Sequence, residues 1–317
     1  FLFDDVLNKF SYRNINDNFC HFKYPWSVLH FGNIRYIKTH HPIIWRTIVK
    51  IKYGKSNWEV AHLPIIKFLE LVKEDGFDAA EIYLDGVSEK PEQIINSLKE
   101  YEIDLIAQIA TQGETIENHM VSMEKRFKFA ASCKPVFINS HTGRDIYSFE
   151  DNLKLYKLAL ELSKEYCINI THETHRGRPT YSLLETEKYL ESFPKLRLNA
   201  DISHWMVVHE SDLSDQKERL DFAISRADYI HARVGYAEGP QIPHPNAPKW
   251  KATVDNHISI WQKFVDNKKG KANTIYITPE FGPPDYMHTV PFQNKAVADT
   301  WEVNVEMKSI LEERLKL

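Results

Sequence analysis

Eight short apolar runs recur along this chain at a near-constant interval, and few folds tolerate that rhythm. The runs lie at 48–53, 79–84, 104–109, 135–139, 167–172, 196–200, 228–231 and 274–278, and their starts are 31, 25, 31, 32, 29, 32 and 46 residues apart. A strand, a loop and a three-turn helix need roughly 30 residues. The stretches between the runs carry helical signals. Leu63, Ile66, Leu69 and Val72 form one stripe, and Leu153, Tyr156 and Leu160 another; Pro91 stands at a first helical position ahead of Ile94, Ile95 and Leu98. Trp301, Val305, Ile310 and Leu311 predict a closing C-terminal helix. Eight such units predict an α/β fold, a (β/α)8 TIM barrel. The rival is an open doubly wound sheet, which usually carries a glycine-rich phosphate turn after its first strand. Neither GxGxxG nor GxxxxGK[ST] occurs here.

Two stretches break the rhythm. Residues 1–45 are rich in aromatics and His without a clear period and are read as an N-terminal extension of unassigned role, leaving 46–317 as the catalytic barrel domain. The segment 233–256 holds Pro240, Pro243, Pro245 and Pro248. A long Pro-rich loop after the seventh strand is expected to lie over the site.

The bulk numbers exclude several function classes. A net charge of −4, from 40 basic and 44 acidic residues, provides no basic footprint for nucleic acid and no polybasic membrane patch. No apolar run is long enough to span a bilayer. Three separated cysteines, Cys20, Cys133 and Cys167, make neither a CxxC pair nor an evident disulfide framework. The start of the chain lacks the pattern of a secretory leader, so a cytoplasmic location is expected. Homo-oligomerisation is left open.

Chemistry collects at the strand ends. Side chains two apart on a strand share a face. Asn169, Thr171 and Glu173 share one parity on the fifth run, Asn199 and Asp201 on the sixth, Tyr229, His231 and Arg233 on the seventh, and Tyr276, Thr278 and Glu280 on the eighth. The opposite parity is mainly apolar and can pack under the helices, which turns Glu173, Asp201, His231 and Glu280 toward the barrel axis at its catalytic end. Three carboxylates and an imidazole converging there would repel one another unless a cation joined them. An all-oxygen-and-nitrogen set suits one divalent ion, Mn2+, Co2+, Mg2+ or Zn2+. His141 and Arg144 follow the fourth run, and His175 and Arg176 lie just beyond Glu173, so all four are candidate substrate contacts. Each of these residues alone has a plainer reading as a cap, a surface loop residue or an ion-pair partner; the four-residue constellation carries more weight than any one of them. His172 has outward parity and reads as structural. Glu81 reads equally well as a satisfied buried acid or as a catalytic one.

These residues resemble the xylose-isomerase-like TIM-barrel superfamily, the sugar phosphate isomerase/epimerase-like proteins. The matching motifs are Gly76-Phe77-Asp78-Ala79-Ala80-Glu81, His172-Glu173, Asp201-Ile202-Ser203-His204, Ile230-His231-Ala232-Arg233 and Pro279-Glu280, within about residues 48–290. The resemblance implies that Glu173, Asp201, His231 and Glu280 ligate the metal. It also implies that Glu173 and Glu280 exchange protons on opposite faces of a substrate carbon through an enediolate-type intermediate, and that His204 and Arg233 hold substrate hydroxyls or a phosphate. The expected activity is isomerisation or epimerisation of a sugar, keto-sugar or sugar phosphate. A metal-dependent dehydratase or lyase of a keto-sugar or keto-inositol is the alternative. An endonuclease IV-like phosphoesterase fits less well. The third run offers Gln108 and Thr111 where that branch has His, and no Asp-x-His follows His231.

Overall fold

The computed structural model describes residues 49–317; the N-terminal extension at 1–45 lies outside the described residues. Eight parallel strands close into a barrel: β1 Lys50–Ser56, β2 Ala79–Tyr83, β3 Asp104–Ala110, β4 Phe137–His141, β5 Ile170–Glu173, β6 Leu198–Asn199, β7 Ala227–His231 and β8 Thr274–Thr278. The ring is sealed where Lys50 to Tyr53 of β1 pair with Thr274 to Ile277 of β8. Its outer layer is α1 Ile65–Glu74, α2 Pro91–Tyr101, α3 Ile116–Ser132, α4 Phe149–Tyr166, α5 Leu183–Ser192, the pair α6 Ile202–His209 and α7 Lys217–Ser225, α8 Lys251–Lys268 and α9 Thr300–Arg314. A small hairpin, β9 Thr289–Val290 with β10 Lys295–Ala296, precedes α9.

Strand parity divides the interior into two environments. One face of each strand (Ile82, Ala107, Ile138, Ile230 and Ile277 among them) packs under the helices in one large apolar cluster. The other face fills the axis. Ala79, Ile106, Phe137 and Tyr229, with Tyr276 against them, form a separate plug. Its rings meet edge to face, Phe137 lying 5.0 Å from Tyr229 and 5.5 Å from Tyr276 between centroids. Above this dry layer the inward positions turn polar: Glu81, Asn139, Thr171, His231 and Thr278 are all buried. The barrel is therefore closed beneath and chemically equipped above.

Several expected boundaries move. The fourth strand runs on to His141, and the fifth starts at Ile170 because α4 is capped by Cys167 in the left-handed conformation, at φ 55°. The stripe expected on α1 is rotated: Ile65, Phe68, Leu69 and Val72 are buried, whereas Ile66 is exposed. The Pro-rich segment is also shorter than expected, since α8 begins at Lys251. Cys133 is a free buried thiol, whereas Cys167 is not free. Among the described residues, no helix is long and apolar enough to cross a membrane.

Candidate metal centre

The mouth at the C-terminal ends of the strands opens into a cavity of about 370 Å³, within the range of small-molecule sites. Glu173, Glu280, Arg233, His141 and His175 line it, together with Asn57, Trp58, Tyr83, Gln108, Gln112, Arg178 and Tyr286. Glu173 is the last residue of β5 and His231 the last of β7, while Glu280 follows β8 by two residues. Asp201 is the N-cap of α6, its side chain accepting from the Ser203 backbone N–H. One ligand atom from each of Glu173, Asp201, His231 and Glu280 lies within 4.8 Å of the others, and all four residues are buried.

His231 occupies the centre of this group. Its Nε2 meets Glu81 Oε2 at 2.8 Å. Tyr229 Oη donates to the same oxygen at 3.0 Å, and Asn139 Nδ2 donates to the other at 2.9 Å. Glu81 is thus the buried acid that holds the imidazole by one nitrogen and leaves the other facing the site. That second nitrogen, Nδ1, lies 2.9 Å from Glu280 Oε2 and 3.4 Å from Glu173 Oε2. Neither oxygen stands where an N–H could donate to it, so Nδ1 is buried without a hydrogen-bond partner. An imidazole nitrogen ringed by carboxylate oxygens that it does not bond is a strong sign that a cation belongs between them.

The electrostatics agree. Burial alone would strip His231 of a proton, yet Glu280, Glu81 and Glu173 outweigh it and lift its pKa well above the usual value; the site favours positive charge here, whether proton or metal ion. Burial pushes Glu173 up, but His141 and His231 hold its carboxyl well below the ordinary range. Asp201 is pushed up to about 6 by burial, with Arg233 pulling it down and Glu280 and Glu173 adding repulsion. The donor set, three carboxylates and an imidazole without sulfur, fits a hard or borderline divalent ion.

The remaining predicted residues divide. His141 ends β4 instead of following it, and its Nε2 reaches Glu173 Oε2 at 2.8 Å. His175 is in the cavity wall, its ring 5.1 Å from that of His141. Arg233 also lines the cavity, but its guanidinium is engaged by the Asp201 carboxylate, Ser203 Oγ and His204 Nε2. His204 is buried behind it and is absent from the cavity wall. Both of its ring nitrogens face guanidinium donors, from Arg233 and Arg176. A neutral imidazole can accept only one. Arg144 is exposed and does not reach the cavity. Beyond Arg233 itself, the Pro-rich segment contributes nothing to the cavity wall. It folds down as a brace, with Gln241 bonded both ways to the Gly282 backbone at 2.7 and 3.1 Å. The roof is built from Trp58 and Tyr286, whose rings meet edge to face at 5.0 Å.

No protein-family model matches the chain, and no curated protein matches it in sequence. Solved structures do match. A xylose isomerase domain containing protein from Salmonella typhimurium LT2 is 16% identical with a TM-score of 0.59, over 82% of this chain and 97% of the other. The chain has the fold of the xylose isomerase-like barrels. The probable 3-DHS dehydratase AsbF of Bacillus anthracis, involved in petrobactin synthesis, is 15% identical with a TM-score of 0.56, over 83% of this chain and 99% of the other. The 3-keto-D-glucoside 4-epimerase YcjR of E. coli is 13% identical with a TM-score of 0.53, over 83% and 100%. At these identities the likeness is one of fold.

Proposed function

We propose that this barrel is a metal-dependent isomerase or epimerase of a small sugar-like carbonyl substrate, with Glu173, Asp201, His231 and Glu280 holding one divalent ion. The observation that carries the reading is the buried Nδ1 of His231, unbonded at the meeting point of the carboxylates. A bound ion would polarise substrate oxygens and lower the acidity barrier at the neighbouring carbon. Glu173 and Glu280 both border the cavity and flank the imidazole. One removes the proton beside the carbonyl and the other returns one, the reaction class being proton transfer at carbon. His141, bonded to Glu173 and bordering the cavity, orients that carboxylate. Trp58 and Tyr286 cover the site and limit water. Gln108, Gln112, Asn57 and Tyr83 supply neutral polar groups for hydroxyls.

The test has two arms. Elemental analysis of the purified chain should give one divalent ion per chain, reduced by Glu280→Gln. Incubation with a panel of ketoses and keto-sugars in deuterated water should give exchange at one carbon and an isomer or epimer. A chain that binds no divalent ion overturns the reading.

Elimination of water is the second reading, favoured by the fold shared with the dehydratase, since it starts from the same proton removal. Products short of one water would select it. An endonuclease IV from Thermus thermophilus shares the fold as well, but a nuclease reading is disfavoured by this site. The second candidate cluster, Glu173, His175 and His204, shares its carboxylate with the first, and two arginines point donors at His204.

A further inference from the structure

The arginines around the mouth are not equivalent. Arg126 is paired with Asp85, and Arg233 with Asp201. Arg178 borders the cavity yet has no carboxylate partner among the described residues. Its one side-chain bond among them is from Nη1 to the carbonyl oxygen of Gly143, at 2.8 Å. Its backbone is tied on both sides, its N–H to His175 O and its carbonyl to the Tyr181 N–H, each at 3.1 Å, so the side chain springs from a braced turn. Burial pushes its pKa down, Glu173 pulls it partly back, and Arg144 repels it again. A half-buried guanidinium with one of its five donors used, set in the wall of a cavity, keeps its remaining donors open to whatever enters that cavity. Planar bidentate donors of this kind match carboxylate and phosphate oxygens. Arg144 and Arg176, both exposed on the same two loops and likewise without a carboxylate partner among the described residues, add positive potential near the entrance.

We propose that Arg178 anchors an anionic group, a phosphate or a carboxylate, carried by the substrate whose reacting end meets Glu173 and Glu280. The proposal rests on the isomerase or epimerase reading only for the direction in which the substrate lies. It narrows the substrate class to acidic sugars or sugar phosphates. It also transfers the anion-holding role expected for Arg233 and His204 to a residue whose donors are free.

The test uses the full chain, with inorganic phosphate and acetate as probes in isothermal titrations. One of the two should bind in the millimolar range, and the tighter one names the group. Arg178→Gln should weaken that binding about tenfold or more, the scale of a lost charge-assisted pair, and Arg178→Lys should weaken it less. Because the bond to Gly143 could matter for folding, a second measurement needs only the wild-type chain. Phenylglyoxal labelling read peptide by peptide should show Arg178 protected by the bound anion, with Arg144 little affected. Absence of binding at tens of millimolar probe, binding unchanged in Arg178→Gln, or labelling of Arg178 indifferent to the anion overturns the proposal. Metal content measured on the same preparations separates the two claims. A metal-free chain that still binds anions through Arg178 sinks the metal reading and leaves this one standing.

Discussion

Glu81 shows what one residue can do to a centre it does not enter. Its carboxylate accepts from His231, Tyr229 and Asn139 at once. An amide in its place has a donor at one end, and either orientation turns that end toward an existing donor. Glu81→Gln should therefore fold but let the imidazole turn, weakening metal binding by about 10- to 100-fold, the usual cost of losing the partner that orients a ligand. Competition with a chromogenic chelator measures it, and unchanged affinity with an unchanged circular dichroism spectrum would refute the assignment. Much of this site could be read from the chain alone, because side chains alternate along a paired strand and Asp201 and Glu280 each lie only two residues past the end of theirs. That alternation placed Glu173, Asp201, His231 and Glu280 toward one point, where the structure brings them. It could not rank Glu81, since a lone acid at an inward position looks the same whether it ligates or supports. Trp58 and Asn57 escaped for a different reason: they lie just past β1, where no strand period says which way a side chain points. Arg178 was one phosphate candidate beside Arg144, Arg176 and Arg233, and nothing in the chain ranks it above the others.

The same contrast holds for whole elements. The barrel was legible from its rhythm, and the strands appear within a few residues of the apolar runs. Helix ends were not, because Glu102, Cys167 and Glu210 take the left-handed cap conformation that glycine usually marks. Nor was the bracing between elements. Asn304 of α9 grips the strand-eight loop, its Oδ1 accepting from the Phe281 N–H at 2.7 Å and its Nδ2 donating to Phe281 O at 2.9 Å. That grip fixes the residue next to Glu280. Asn304→Ala would orphan both buried backbone groups and should cost about 2–3 kcal/mol of stability in urea titrations, with activity falling more than folding alone explains. On the opposite side of the seam, Gly54 of β1 faces Thr278 of β8 so closely that an added Cβ would lie 2.2 Å from its Oγ1. Gly54→Ala must then push the two strands apart or force the Thr278 side chain to turn. A loss of about 1–3 kcal/mol is expected, read as a lower urea midpoint with an unchanged slope; wild-type stability in that variant would contradict the close approach.

At the scale of the whole molecule, the polar residues that the barrel buries set how it answers to acid. His257, on α8, is held between the Gly235 N–H, which donates to its Nε2 at 3.1 Å, and Thr253 O, which accepts from Nδ1 at 2.9 Å. This pinning joins the Pro-rich brace to the helix that follows it, and it requires a neutral ring, since a proton on Nε2 would face the Gly235 N–H. Burial accordingly pulls its pKa from 6.5 down to about 4. An unfolded chain binds a proton near 6.5, so between that value and about 4 the unfolded state takes up a proton that the folded state refuses. Stability contributed by His257 is therefore complete above the upper value and is lost as pH falls through the window, by about 2 kcal/mol between pH 7 and pH 5. Asp201 works in the opposite direction, its carboxyl raised to about 6 in the fold, so the acid response of the wild-type chain is a sum of unlike signs. Comparison with His257→Gln cancels every term the two chains share. Urea midpoints at both pH values should show the wild-type chain losing about 2 kcal/mol more than the variant on acidification. Equal losses would mean that the ring accepts a proton within the fold, and that the brace after β7 is not held by a neutral imidazole.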